Sequence, residues 1–173
     1  RRCHEVHRMR GVRLFPNYHG YTLDDARFRQ LVELTARRGL LVQIALGIED
    51  DRSQNPALTA APVAAAPLAD LLGQIRGARV MLLNASSRVL GPANPLFKRL
   101  VAAGVFFEIA TLEGVAGIEM LLRANPDARL CFGSHTPYFY FESALLKLTE
   151  SALTPAQLQA VRSGYAVAAL VPV

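Results

Sequence analysis

The chain has 173 residues, of which 51% are hydrophobic and 19% are charged, and its formal net charge is +5. A disordered chain would lack this much apolar content, and no run reaches the roughly 18 apolar residues that a membrane span needs, so we expect a soluble globular domain without a membrane partner. Four arginines against one glutamate place +3 of the charge within the first ten residues. No basic stripe interleaved with aromatic residues follows, and we therefore expect no nucleic-acid partner.

The two cysteines, Cys3 and Cys131, are far apart, and neither lies in a CxxC motif or in a Cys/His cluster of zinc spacing. This usage favours a reducing compartment. The opening segment RRCHEVHRMR lacks the long apolar core of a secretory signal, and a cytoplasmic location is the resulting expectation.

Five short apolar runs recur along the chain with helical patterns between them, and each run predicts a buried strand. The runs are GVRLF (11–15), LLVQIAL (40–46), ARVMLLN (78–84), VFFEIA (105–110) and RLCFGS (129–134).

The segment after the first run predicts an amphipathic helix that begins at Asp24 or Asp25 and ends at Gly39. The same pattern recurs between the later runs, at 67–77, 95–104 and 114–127. Four successive strand-then-helix units predict an α/β fold with a parallel sheet.

Two further helices are predicted after the last strand. They cover 140–150 and 154–170, and the second has Thr154 as N-cap and Pro155 in its first helical position. The Ala/Pro-rich segment 55–67 predicts a long loop between a strand and its helix.

Ligands of parallel α/β proteins bind at the carboxyl ends of the strands, so the polar residues there are the candidates for chemistry. No GxGxxG, GxxxxGK[ST] or GxSxG motif occurs, which leaves dinucleotide, P-loop and serine-hydrolase functions without support. The residues predicted at these ends are Asn17, Tyr18, His19, Gln43, Ala45, Asn84, Glu108, Glu113 and His135.

Two segments carry a resemblance to a known family: GVRLFPNYHGYTLDDARFRQLVELTARRGLLVQIALG (11–47) and ARLCFGSHTPYFYFESALLKL (128–148). They resemble the amidohydrolase-related branch of the amidohydrolase superfamily. The resemblance implies a (β/α)8 barrel, of TIM-barrel type, with a divalent metal at its carboxyl rim. It also implies that the barrel hydrolyses or decarboxylates small carboxylates, amides, esters or lactones.

The resemblance implies that the five predicted strands are the last five of the barrel, and an eight-stranded barrel needs about 200 residues or more. We therefore expect residues 1–173 to form a single amidohydrolase-like domain that lacks the first three strands of the barrel. The family's His-X-His metal motif belongs to the first of those strands.

The aligned metal positions of the family are changed in this chain. Ala45 and Asn84 stand where the family commonly presents histidines, and His135 stands where it presents an aspartate that activates the metal-bound water. Alanine cannot bind a metal, and a neutral amide is a poor zinc ligand. We therefore predict no assembled mononuclear zinc site within this chain, and a divalent metal cofactor is implied by the family alone.

Each candidate residue admits a functional and a structural interpretation. His135 is a general base or a lone metal ligand, or else it hydrogen-bonds a neighbouring loop. Glu108 is costly to bury unpaired, so it should meet a cation or help to shape a pocket. The predicted catalytic residue is His135, and the predicted substrate-binding residues, each with a structural alternative, are Asn17, His19, Gln43, Asn84 and Glu108.

The resulting hypothesis is a hydrolase that acts on a small polar substrate, an amide, ester or lactone, with His135 as base. One alternative is a metal-free, non-catalytic barrel relative that binds a metabolite or a partner protein, and another is a decarboxylase of the same superfamily. A homo-oligomer is also considered, because the open edges of an incomplete barrel would expose backbone groups and apolar surface.

Overall fold

The computed structural model describes residues 2–50 and 54–171, and it contains one five-stranded sheet. All neighbouring strands are parallel, and their order in the sheet is their order in the sequence. This confirms the predicted α/β class, and each strand lies within its predicted run. The strands are β1 (Gly11–Leu14), β2 (Leu41–Ala45), β3 (Arg79–Leu83), β4 (Phe106–Glu108) and β5 (Arg129–Cys131).

The helices alternate with the strands as the sequence predicts, although most are shorter than their patterns. None of the helices in the described ranges is both long and apolar enough to cross a membrane. They are α1 (Arg2–Glu5), α2 (Pro16–His19), α3 (Ala26–Ala36), α4 (Ala66–Leu72), α5 (Pro95–Ala102), α6 (Gly117–Ala124), α7 (Phe141–Thr149), α8 (Pro155–Gln159) and α9 (Tyr165–Leu170).

Local sequence explains where several helices begin. The Asp25 side chain accepts a hydrogen bond from the backbone of Arg27 at the start of α3. Thr154 and Gln157 form a reciprocal capping box at the start of α8. The prediction of one uninterrupted helix over 154–170 was wrong, because a π-helical turn at Ala160–Gly164 separates α8 from α9.

The two faces of the sheet pack against different layers. One face supplies residues such as Val42, Leu82 and Phe107 to the main core, beneath the helices that connect the strands. The opposite face carries a smaller apolar cluster that α9 covers through the fully buried Ala169. The members of this cluster are Leu41, Ala45, Met81, Leu83, Phe106, Cys131 and Ala169.

Arg79, the first residue of β3, fixes the end of α9 to this second face. Its guanidinium donates hydrogen bonds to the carbonyls of Ala168, at 2.6 Å, and of Ala169. At the edge of the sheet, the backbone N–H of Phe132 donates to the carbonyl of Val161 within the π-helical turn, at 2.8 Å. The C-terminal helices therefore cover part of the sheet that the strand-connecting helices leave open.

We expect the Cys131 thiol to be unreactive in the folded protein. Cys131 is 2% exposed, and burial, with a smaller effect of the Glu108 charge, raises its pKa to about 12. Because the thiolate is the reactive form, alkylation at about pH 8 should be roughly 100 times slower in native protein than in urea. The measurement uses a Cys3→Ser variant, in which Cys131 is the only thiol, and equal labelling rates in the two conditions would contradict the burial.

Candidate functional site at the carboxyl rim

Three polar side chains converge where β3, β4 and β5 end. Asn84 follows β3, Glu108 is the last residue of β4, and His135 lies beyond β5. The backbone N–H of Asn84 donates to Glu108 Oε2 at 3.2 Å, and Asn84 Nδ2 lies 3.3 Å from His135 Nε2. Parallel strands place their carboxyl ends at one edge, which is why residues far apart in sequence meet here.

The Glu108 carboxylate is buried and is held by backbone donors. The side chain is 8% exposed, and its second oxygen accepts the N–H of Ala110 at 2.6 Å. Burial raises the pKa of Glu108, while the two N–H donors and the nearby charges of His135 and Lys147 act in the opposite direction. The carboxylate is therefore held mainly by backbone N–H groups, with the Lys147 ammonium nearby.

Asn84 and His135 both adopt left-handed backbone conformations, each with φ of 54°. Asparagine tolerates this region because its short side chain can bond locally, but it is uncommon for other residues with a Cβ atom. Such strain persists only where surrounding contacts enforce it, and it clusters at functional sites. Here it turns both side chains toward each other at the ends of their strands.

The His135 ring is fixed by a hydrogen bond and by aromatic neighbours. Its Nε2 lies 2.6 Å from the carbonyl oxygen of Ile48, which can only accept, so Nε2 carries a proton. In the neutral ring, Nδ1 is then the acceptor. The ring stacks on Tyr138 at 4.9 Å between centroids and meets Phe139 edge-on at 5.5 Å.

Asn84 and His135 together hold the loop that follows β2. Asn84 Nδ2 donates to the carbonyl of Gly47 at 2.8 Å, next to the Ile48 carbonyl that His135 binds. The structural alternative considered for His135, a hydrogen bond to a neighbouring loop, is therefore present. The hydrogen bond to Ile48 does not exclude His135 as a general base, because it leaves Nδ1 of the ring unprotonated.

Lys147 belongs to the same region, although the sequence reasoning missed it. It extends from α7 to the carbonyls that follow Glu108, donating to Ile109 at 3.2 Å and to Ala110. Desolvation lowers the pKa of Lys147, and the carboxylates of Glu108, Glu150 and Glu113 partly oppose that shift. The one sequence signal for Lys147 is its residue type, because the chain has only two lysines and 17 arginines.

A cleft of about 490 Å³ lies between the loops that follow β2, β3 and β4, and it is lined by Asn84 and Lys147 but not by Glu108 or His135. The polar and charged residues of its wall are Glu49, Asp50, Asn84, Ser86, Ser87, Arg88, Thr111, Glu113 and Lys147. The apolar part of the wall consists of Leu46, Ile48, Pro62, Val63, Val89, Ala110, Leu112 and Phe139. The wall is therefore as much polar and charged as apolar, and the volume of the cleft is in the range of small-molecule sites.

Asn17, predicted to bind substrate, does not join the cluster. It follows β1, and its amide donates to the carbonyl of Ala61 at 3.2 Å, beside a separate cleft of about 430 Å³. Gly20 ends α2 in a left-handed conformation and donates to Pro16. These contacts fit the structural interpretation of this turn.

His19 and Gln43 also lie apart from the cluster. The His19 ring stacks near Tyr21, with centroids 6.4 Å apart. Gln43 accepts a hydrogen bond from Arg13 Nε at 2.9 Å and contacts the sulfur of Met81 at 3.6 Å, across neighbouring strands. Of the six predicted site residues, the structure therefore brings together Asn84, Glu108 and His135.

The residues present do not fit a metal ion at the family position. Within residues 2–50 and 54–171, no group of three or more His, Cys, Asp or Glu side chains could hold one. Ala45 supplies no ligand atom, and the nitrogens of Asn84 and His135 donate to loop carbonyls.

The parallel sheet, the helices between its strands and the polar rim define a (β/α) barrel-type protein. No family model matches the sequence, and neither does any curated protein. Among solved structures, the chain is similar to a Staphylococcus aureus protein assigned as an amidohydrolase, with a TM-score of 0.69 at 9% identity. It is also similar to the apo form of IDCase from Metarhizium anisopliae, with a TM-score of 0.65 at 18% identity. A third similar structure is 2,6-dihydroxybenzoate decarboxylase from Rhizobium, with a TM-score of 0.66 at 13% identity.

These alignments cover 93 to 98% of this chain and 56 to 67% of the other three chains. The chain thus spans roughly three fifths of the length of the structures it matches. At these identities the likeness establishes the fold, and the predicted resemblance to the TIM-barrel fold of amidohydrolase-family proteins is confirmed.

Proposed function

We propose that the rim binds a small polar substrate and hydrolyses an amide, ester or lactone bond, with His135 as general base. The observation that carries this proposal is the convergence of Asn84, Glu108 and His135 from three strand ends, with Asn84 in the wall of the neighbouring cleft. The fold shared with amidohydrolase-family enzymes supports it by analogy.

In this mechanism, His135 Nδ1 accepts a proton from a water molecule as the water oxygen attacks the substrate carbonyl carbon. The imidazolium then returns the proton to the leaving nitrogen or oxygen. The Ile48 carbonyl holds the ring in the tautomer that leaves Nδ1 unprotonated. The Asn84 amide, 3.5 Å from Nδ1, orients the water or the substrate oxygen.

The test is a His135→Gln variant assayed on a panel of small amides, esters and lactones. Glutamine retains an N–H donor for the Ile48 carbonyl but removes the base, so the rate should fall roughly 100-fold or more with little change in thermal stability. We expect EDTA to leave the rate unchanged. His7→Gln, at an exposed site near the N-terminus, is the matched control, and equal rates for the two variants would remove His135 from catalysis.

A second candidate function is metabolite binding without catalysis. Asn84 and His135 are both engaged with loop carbonyls, and Ala45 replaces a ligand position, as expected of a barrel that has lost its chemistry. Thermal stabilisation by a panel compound, without turnover or release of carbon dioxide, would favour this candidate. Release of carbon dioxide would instead favour the decarboxylase alternative.

A further inference from the structure

The charged residues of the described chain separate toward opposite ends of the sheet. The segments that lead into the strands, counted with the first residue of each strand, carry seven arginines and one acid, Asp127. The described segments that lead away from the strands, counted with the last residue of each strand, carry six acids and Arg88, and Lys147 reaches them from α7. We call the first surface the strand-entry face, and its arginines are Arg8, Arg10, Arg37, Arg38, Arg76, Arg79 and Arg129.

The arginines of the strand-entry face have no acidic partner. Within residues 2–50 and 54–171, no ion pair joins any of them to a carboxylate. Arg79 and Arg129 donate instead to the backbone carbonyls that precede β2 and β4, at 3.1 and 3.4 Å. Four others are exposed, and their side chains form no hydrogen bond in the described ranges: Arg8, Arg10, Arg37 and Arg76. Seven arginines against one aspartate therefore leave this face with a formal charge of +6 that the described chain does not neutralise.

The positions of these arginines favour a flat partner. They occur at the starts of four of the five strands, and five strands at a spacing of about 4.8 Å span roughly 19 Å. A planar anionic surface meets such a spread of charges at once, whereas a nucleic-acid duplex is a cylinder that meets a narrower strip of it. Single-stranded nucleic acids are held by exposed aromatic side chains that stack on the bases, and the described part of this face has none.

Two exposed apolar side chains indicate that the planar partner is a lipid surface. Val6 and Met9 are 66% and 50% exposed, and they lie in the same short segment as Arg8 and Arg10. Exposed apolar groups among basic ones are typical of proteins that lie on a membrane, because the apolar groups enter the lipid while the cations meet anionic headgroups. The guanidinium fork of an arginine also matches the oxygens of a lipid phosphate.

We propose that the strand-entry face binds an anionic phospholipid surface, with its arginines on the lipid phosphates and with Val6 and Met9 against the lipid. The expectation of no membrane partner rested on the lack of a spanning segment, and a peripheral contact needs none. In this orientation the carboxyl rim faces away from the lipid, because parallel strands begin and end at opposite edges of the sheet. The inference therefore does not depend on the proposed hydrolysis.

Sedimentation of the full chain with vesicles tests the proposal. Vesicles of phosphatidylcholine with about one third phosphatidylglycerol should bind the protein at low salt, and vesicles of phosphatidylcholine alone should not. Salt at about 1 M should release the protein, because the Debye length then falls to about 3 Å. The double variant Arg37→Gln/Arg76→Gln should bind the anionic vesicles roughly 25-fold more weakly, since each arginine near such a surface contributes roughly fivefold.

The matched control is Arg27→Gln/Arg162→Gln, which removes the same charge from exposed positions near the carboxyl ends of the strands. This control should keep its vesicle affinity within about twofold of wild type, because its arginines lie far from the bound lipid. Equal losses in the two double variants, or equal binding to neutral vesicles, would overturn the proposal. Release from the anionic vesicles by duplex DNA at an equal phosphate concentration would assign the face to nucleic acid and would also overturn it.

Discussion

Replacing Gly133 with alanine should lower the free energy of unfolding by about 3 kcal/mol or more. A Cβ atom at Gly133 would lie 2.3 Å from Glu108 Oε1 and 2.4 Å from Glu108 Cγ, well inside contact distance. Glu108 cannot move away without breaking its hydrogen bonds to the backbone of Asn84 and Ala110. The variant therefore combines steric strain with buried donors that lose their acceptor.

Chemical denaturation of Gly133→Ala and of a matched control measures this effect. Gly47 is the control because it also lies at the rim and a Cβ there would be 4.0 Å from its nearest neighbour, the Glu49 carbonyl oxygen. We expect Gly47→Ala to change stability by less than about 1 kcal/mol. Similar losses for the two variants would show that Glu108 does not pack against Gly133 as described.

Replacing Glu108 with leucine should cost about 3 kcal/mol. Leucine has a similar size but no acceptor, so the buried N–H groups of Asn84 and Ala110 lose their partner, at about 1 to 3 kcal/mol each. Glu108→Gln retains one acceptor oxygen and should cost less. Chemical denaturation at about pH 5 measures the free energy of unfolding of these variants. The control is Glu142→Gln, at an exposed position, whose free energy of unfolding should stay within about 0.5 kcal/mol of wild type.

The pH dependence of the glutamine variant gives a second readout. Burial raises the pKa of Glu108, so the folded protein keeps a proton that the unfolded chain releases near the ordinary pKa of about 4.5. Stability from this group is therefore fully present below that value and is lost as the pH rises through the raised pKa. Since glutamine does not titrate, the difference in free energy of unfolding between wild type and Glu108→Gln should decrease as pH rises. An increase in this difference with pH would contradict the raised pKa of Glu108.

Local patterns in the sequence were sufficient to predict the α/β class and the five strands. The strands lie in the sheet in their sequence order, because short right-handed connections place consecutive parallel strands side by side. Helix starts such as those capped by Asp25 and Thr154 were also readable, since a cap acts over a few residues. The break at Ala160–Gly164 was not predicted, although Ser163 and Gly164 are poor helix formers within the predicted helix.

The sequence by itself determined the architecture, the resemblance to the amidohydrolase barrels and the changed residues at the metal positions. The tertiary structure alone decided which polar residues meet. Asn84 and His135 are 51 positions apart, and their contact depends on the register and twist of the strands between them. The same register places Gly133 against Glu108 and allows Lys147 to reach the end of β4. Such contacts depend on distances between strand ends, which no local pattern encodes.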